Sequence, residues 1–206
     1  MKIIATLLLG FTTLAAIAAP TNFLVCVSNE RSDDITIIDG ASQKVIATIP
    51  VGKRPRGIHA SADGKTLFVA LSGNPISGPR HVGASAPLLD DDPKAKPDHS
   101  ADGIGIVDLT TKKFLRKIPA GSDPEQFAVS PDGKRLYIAN EDAGVISVLD
   151  TADGKVEHEI PVAEEPEGVA FAPDGKTVYA TCETAGDIFV IDTAQNKSTA
   201  HFVVGG

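Results

Sequence analysis

The sequence predicts an all-β fold, a β-propeller made of four-stranded antiparallel blades. The first observation is a repeat: the motif Pro-Asp-Gly-Lys at 131–134 returns 42 residues later at 173–176. The second is an earlier Asp-Gly-Lys at 63–65, which precedes its next copy by 69 residues, one period plus 27. Each copy also holds four short apolar runs separated by turn residues. A period of about 40–45 residues with four strands per unit is typical of a propeller blade.

The third copy shows how a blade is expected to fold. We predict strands A to D, from the inside of the ring outwards, over 126–130, 135–140, 145–150 and 155–162. On this scheme the chain begins with strand B of blade one and ends after strand D of blade four, with fifteen strands in all. A propeller removes its sheet edges by closing a ring. We therefore expect the N-terminal part of a longer propeller, and a closed four-blade ring is the alternative.

The N-terminus is expected to be a signal peptide. Lys2 is followed by an apolar run over 3–17, and 16–18 fits the small-x-small cleavage pattern. The run is shorter than the ~20 residues of a membrane span. We predict a signal peptide at 1–18, a partial propeller at 19–206 with an insertion at 74–100, no membrane span after cleavage, and a periplasmic or secreted location.

Composition and motifs restrict the function classes. The chain has 19 basic and 27 acidic residues, a net charge of −8 that disfavours nucleic acid as a partner. It has no Gly-x-Ser-x-Gly, no phosphate loop and no Cys-x-x-Cys-His for covalent haem. A non-catalytic role without a cofactor is therefore preferred to an enzyme, while haem or a divalent metal stays an alternative.

Up-and-down topology divides the loops between two faces. The A–B and C–D turns lie on one face, here the turn face, and the Asp-Gly turns among them are nearly identical between copies. The B–C loops and D–A connections lie on the other, here the loop face. Sequence variety is concentrated on the loop face, where binding is expected. The binding candidates are Glu30, Arg54, Arg56, His81, His99, Asn140, Glu141, Asp142 and Glu183.

Charge alternates along the D–A connections. Arg54 and Arg56 flank Pro55, whereas the other copies have acids around the proline, at 123 and 125 and at 165 and 167. Such arginines could orient a carboxylate or phosphate. Pairing between an arginine of one blade and an acid of the next is the alternative, which we favour because every junction must be held.

Polar residues also end the B strands. Glu30, Asn140, Glu141, Asp142 and Glu183 are of this kind. A ring of carboxylates near a central channel could bind Ca²⁺, which takes oxygen ligands. These residues belong to separate blades and form no compact metal loop, so turn formation and a solvated rim are the preferred interpretation.

The insertion at 74–100 holds five of the fourteen prolines, which predicts irregular structure rather than a hairpin. His81 and His99 with nearby carboxylates would permit Zn²⁺ or a related metal, but their spacing fits no recognised ligand pattern. A lid or partner-docking loop is preferred. His59 lies on an inner strand where other copies have alanine, which makes it a candidate haem ligand or proton carrier; a backbone hydrogen bond is the simpler role.

Several segments carry a family resemblance. The segments 148–151 and 168–176 resemble the YVTN-type propeller repeat of exported bacterial proteins. The segments 27–30, 50–57, 123–125, 139–142 and 165–168 resemble more closely the propeller proteins associated with PQQ-dependent alcohol catabolism.

That resemblance implies a seven-bladed periplasmic ring. It also implies a binding or docking scaffold, with a quinoprotein dehydrogenase or a cytochrome as its protein partner. The alternative is an enzyme or cofactor protein on the same fold, either a lactonase-like hydrolase or a haem-binding relative of the nitrite reductase propellers.

Overall fold

The computed structural model describes residues 23–76, 79–80, 89–90 and 95–204. The predicted signal peptide at 1–18 and His81 lie outside the described residues. No helix in these ranges is long and apolar enough to cross a membrane.

The strands follow one another in four blades with a small two-stranded ladder in the second. Blade one has β1 (Leu24–Asn29), β2 (Asp34–Asp39) and β3 (Lys44–Pro50). Blade two has β4 (Pro55–Ala60), β5 (Thr66–Leu71), then β6 (Pro79–Arg80) and β7 (Leu89–Asp90) in the insertion, then β8 (Gly103–Asp108) and β9 (Lys113–Ile118). Blade three has β10 (Pro124–Val129), β11 (Arg135–Asn140), a 3₁₀ turn (Glu141–Ala143), β12 (Val145–Asp150) and β13 (Val156–Pro161). Blade four has β14 (Pro166–Phe171), β15 (Thr177–Cys182), β16 (Asp187–Asp192) and β17 (Lys197–Val203).

The topology confirms the predicted fold class. Blades two, three and four are four-stranded antiparallel sheets whose strands pair in chain order, with the insertion between β5 and β8 as expected. Blade one has three strands in the described part of the chain. The short turns of the described chain follow from the repeat, in which each apolar run of about six residues ends at a turn signal.

The bounds of two strands in blade three and the structure of the insertion differ from the sequence prediction. The inner strand of blade three begins at Pro124 instead of 126, since a proline without an N–H fits the first position of a strand. The outer strand, β13, is shorter by one residue at each end. The insertion was expected to be irregular, but β6 and β7 pair antiparallel over two residues each. Pro79 is tolerated there because it is the first residue of its strand.

The core lies between the blades rather than within them. Strands that alternate inward and outward place apolar side chains on both faces of each sheet, and neighbouring sheets bury them against each other. Between blades two and three the buried set includes Phe68, Ile104, Phe127, Leu136 and Ile138. Equivalent clusters lie at the other two junctions. The position of every loop therefore depends on how adjacent blades pack.

Replacing one of these core side chains should destabilise the whole array. Ile138 is fully buried, so Ile138→Ala is expected to lower the free energy of unfolding by about 2–5 kcal/mol through lost contacts and a cavity. Leu115, which is 58% exposed, provides the control: Leu115→Ala should change it by less than about 0.5 kcal/mol. Urea denaturation followed by circular dichroism measures both, and equal effects would contradict an inter-blade core at Ile138.

Candidate functional site

The acidic residues of the turn face are engaged in forming the turns. Asp63, Asp132 and Asp174 each accept a hydrogen bond from the backbone N–H two residues later, at 3.1, 3.1 and 2.9 Å. In the first two turns a serine hydroxyl also donates to the same carboxylate, and these hydrogen bonds hold the pKa of Asp63 and Asp132 below the usual range. Hairpin geometry thus accounts for this face.

The loop face is organised by one residue in each D–A connection. Arg54, Asp123 and Glu165 precede a proline and have positive φ angles of 45°, 49° and 52°. The carbonyl of Asp123 accepts the N–H of Glu141 at 3.1 Å, and that of Glu165 accepts the N–H of Glu183 at 2.9 Å. Each connection is thereby tied to the residue that follows strand B. Left-handed backbone at a non-glycine residue costs about 1–3 kcal/mol, so the surrounding contacts must hold it.

The two arginines of the first connection form ion pairs across blade junctions. Arg56 of blade two contacts three carboxylates of blade three: Asp123 at 3.3 Å, Glu141 at 3.0 Å, and Glu125. Arg54 donates from Nε to Glu30 of blade one at 2.7 Å. Their side chains are only 14% and 16% exposed. The inter-blade pairing favoured by the sequence is therefore present, and these arginines hold the blades together.

Asp123 connects the arginines to the base of the insertion. Its side chain, 2% exposed, accepts a hydrogen bond from Nδ2 of Asn74 at 2.8 Å. Its own N–H donates to Asp102 at 3.2 Å. Burial opposes its ionisation, but a hydrogen bond from Ser72 and the charge of Arg56 outweigh burial and lower the pKa of Asp123.

A carboxylate cluster adjoins these arginines on the inner side. Oxygen atoms of Glu125, Glu141 and Glu167 lie within 4.8 Å of one another. Burial raises the pKa of Glu141 and Glu167, with Asp123 adding to the first and Glu183 to the second. Carboxylate oxygens suit a hard cation such as Ca²⁺. However, the guanidinium of Arg56 already contacts two of the three carboxylates, and its positive charge would repel a metal ion. The geometry is that of a blade junction held by ion pairs, in which carboxylates outnumber the guanidinium groups.

His99 anchors the end of the insertion. Its Nδ1 lies 3.0 Å from Asp102 and 3.4 Å from the hydroxyl of Ser122. A Ser–His–Asp relay needs the serine and the acid on different ring nitrogens, so this set is not one. The hydrogen bond to Asp102 raises the pKa of His99, and the charges of Asp102, Asp142 and Asp123 act in the same direction.

The remaining predicted residues separate into buried and exposed ones. Asn140 is fully buried and donates to Ser147 at 2.7 Å, so its placement on a solvated rim was wrong: the strand-end amide is needed inside the blade. Asp142 accepts hydrogen bonds from Asn74 and Ser122. Glu183 is exposed on the loop face.

His59, the candidate haem ligand, lies on β4. Its ring packs edge-on against Phe127 with the centroids 5.0 Å apart. The residue is exposed on the inner strand, and partial burial of the ring lowers the pKa of His59. Its contact with Phe127 is a packing contact between blades two and three.

The sequence prediction missed Asp102 and Asn74 as junction residues. Both lie at the ends of the insertion, which has no counterpart in the other copies, so the repeat offered no signal for them. Asp102 is 4% exposed and accepts the N–H of Gly73 at 2.6 Å. The role of a buried carboxylate at the base of a long loop becomes visible only in the three-dimensional structure, where the two ends of the loop lie side by side.

Two cavities open at equivalent blade junctions of the loop face. One, of about 340 Å³, lies between blades one and two; we call it the cationic cavity, and its charged lining is Glu30, Arg31, Asp33, Lys53, Arg54 and Lys96. The other, of about 360 Å³, lies between blades three and four; we call it the acidic cavity, and its charged lining is Glu141, Asp142, Glu164 and Glu165.

Comparison with known proteins supports the fold. No family model matches the chain. Antigen Lp49 of Leptospira interrogans is 32% identical over 142 residues, covering 58% of this chain and 31% of that protein. The structure of hydrazine synthase from Kuenenia stuttgartiensis aligns with a TM-score of 0.71 at 23% identity, over 95% of this chain and 53% of that one.

The chain therefore spans about a third of the curated relative and about half of the structural neighbour. At that identity the structural neighbour supports the fold alone. The comparisons and the structure together show a propeller-like array with similarity to an antigen.

Removing the guanidinium of Arg56 should strongly destabilise the junction. Arg56→Met would leave the buried Glu125 without its cation and the buried Asp123 with only the more distant Arg54, at 3.9 Å. We expect a loss of about 3 kcal/mol in unfolding free energy. The control is Arg135→Met, which breaks the exposed pair with Glu157 and should cost less than about 1 kcal/mol. Urea denaturation at pH 7 compares them, and a smaller effect at Arg56 would refute its role in the junction.

The acidic cluster predicts a pH dependence. Burial raises the pKa of Glu167 above its ordinary value of 4.5. The stability that protonated Glu167 contributes is therefore fully present below pH 4.5 and is lost as the pH rises through the raised pKa. Glu167→Gln, which cannot ionise, should melt at a higher temperature than the parent at pH 7, with the difference shrinking towards pH 4. Glu159→Gln on the exposed outer strand serves as control. A lower melting temperature for Glu167→Gln at pH 7 would contradict the assignment.

Proposed function

We propose that this chain belongs to an exported, non-catalytic scaffold whose loop face docks onto a periplasmic protein partner, a quinoprotein dehydrogenase or cytochrome of a PQQ-dependent alcohol oxidation system. The observation that carries the docking role is the difference between the two faces. The turn-face aspartates are engaged in hairpin turns, whereas the loop face has more carboxylates than its arginines can neutralise.

Export and the partner class rest on the sequence. The N-terminal segment at 1–18 has the features of a cleaved signal peptide. The motifs at 27–30, 50–57, 123–125, 139–142 and 165–168 support the association with PQQ-dependent catabolism.

The docking surface is the acidic half of the loop face. Arg54 and Arg56 are held in the junctions and are poor candidates for contact with a partner. Glu164, in the connection that leads into blade four, and Glu183, in the loop after β15, are both exposed. An acidic surface fits a partner with a basic patch, since complementary charge raises the rate of association and fixes the orientation of the complex.

A scaffold role agrees with the chemistry of the polar clusters. His99, Asp102 and Ser122 do not form a relay, and the carboxylate cluster is paired with Arg56. Binding then depends on surface charge and shape, not on a reacting group.

Charge reversal on the docking surface tests the proposal. The variant Glu164→Lys with Glu183→Lys should lose most of the partner captured from periplasmic extracts of alcohol-grown cells, because like charges then face the basic patch. Capture is measured by affinity purification and mass spectrometry of dehydrogenases and cytochromes.

The matched control changes net charge by the same amount elsewhere. Glu157→Lys with Glu159→Lys alters β13, an outer strand away from the loop face, and should leave capture unchanged. Circular dichroism checks that both variants are folded. Equal capture by the two variants, or no dehydrogenase or cytochrome captured by the parent, would refute the proposal.

A further inference from the structure

The cationic cavity reverses the charge of the rest of the chain. The protein has a net charge of −8, yet four of the six charged residues that line this cavity are basic. Both acids are engaged by one residue: Arg54 donates from Nε to Glu30 at 2.7 Å and from its backbone N–H to Asp33 at 2.9 Å. Among the described contacts, neither acid pairs with Lys53 or Lys96.

The repeat shows that blade packing does not require this charge. Lys53 and Arg54 precede Pro55, and the residues at the same place before Pro166 are Glu164 and Glu165. The acidic cavity occupies the equivalent junction with a similar volume and with carboxylates in its lining. The same backbone arrangement therefore accommodates either positively or negatively charged side chains at this position.

Two of the cations are accessible to a ligand. Lys53 is 54% exposed and pairs at 2.6 Å with Asp98, an exposed pair of the kind that contributes little and can exchange. Lys96 is exposed and has no ion-pair partner within the described ranges. Both line the same cavity as Arg54, whose guanidinium is paired with Glu30, so the two lysines are the cations that a ligand can reach.

The other lining residues define the rest of the ligand. Pro75, Ile76 and Ala95, from the two described ends of the insertion, add an apolar wall. A volume of about 340 Å³ accommodates a small metabolite. The combination of clustered cations and a short apolar wall matches a small aliphatic carboxylate.

We infer that the cationic cavity between blades one and two binds small aliphatic carboxylates. Lys53 and Lys96 bind the carboxylate and supply the compensating charge, and Pro75 and Ile76 contact the carbon chain. This site is distinct from the acidic docking surface and does not depend on the proposed partner.

Isothermal titration calorimetry of the purified protein with succinate tests the inference, with succinamide as the uncharged analogue of the same shape. Succinate should bind and succinamide should not, and the affinity for succinate should fall with rising salt because the attraction is electrostatic. Lys53→Gln with Lys96→Gln should weaken succinate binding by at least about tenfold, since two cations near the anion are removed.

The matched control removes two lysines of the turn face. Lys134→Gln with Lys176→Gln changes the net charge equally and should leave succinate binding unchanged. Equal weakening by the two double variants, binding of succinamide like succinate, or tighter binding of inorganic phosphate than of succinate would overturn the inference. Each readout uses the isolated protein, so its outcome is independent of partner capture.

Discussion

The arrangement of the loop face depends on the ion pairs that Arg56 makes across the junction of blades two and three. One guanidinium contacts Asp123, Glu125 and Glu141, which come from a D–A connection, an inner strand and a B–C turn. Groups this poorly exposed are costly to bury unless they are paired. The pairing therefore holds the loops of blades two and three to each other beside the apolar core that packs the two blades.

The residues with left-handed backbone before the prolines also help to hold the blade junctions. A connection between an outer strand and the next inner strand must cross the face of the propeller and then turn sharply. Positive φ at Asp123 and Glu165 makes that turn and directs the carbonyl to the N–H after strand B. The charged side chain is thereby held at one place in each blade, so a change of residue changes the charge of the junction without changing its backbone. This explains how one repeat builds a cationic and an acidic cavity.

The repeat made most of the fold predictable. Its period, its Asp-Gly turns and its short apolar runs predict the antiparallel blades, their strand order and the site of the insertion, because these depend on residues close in sequence. The inter-blade use of Arg54 and Arg56 was also predictable, since their charge opposes that of the acids in the equivalent connections. What the sequence determined by itself was thus local structure, its repetition, and which loops share a face.

Only the tertiary structure decided which polar side chains are available. Asn140 and Glu141 are neighbours in sequence, yet the first is buried against Ser147 while the second pairs with Arg56 from another blade. Asp102 and Asn74 meet Asp123 because the insertion closes on itself, an arrangement that no repeat position anticipates. Burial and pairing across blades depend on residues distant in sequence and on how whole sheets pack, which is why local patterns could identify the loop face but not its free charges.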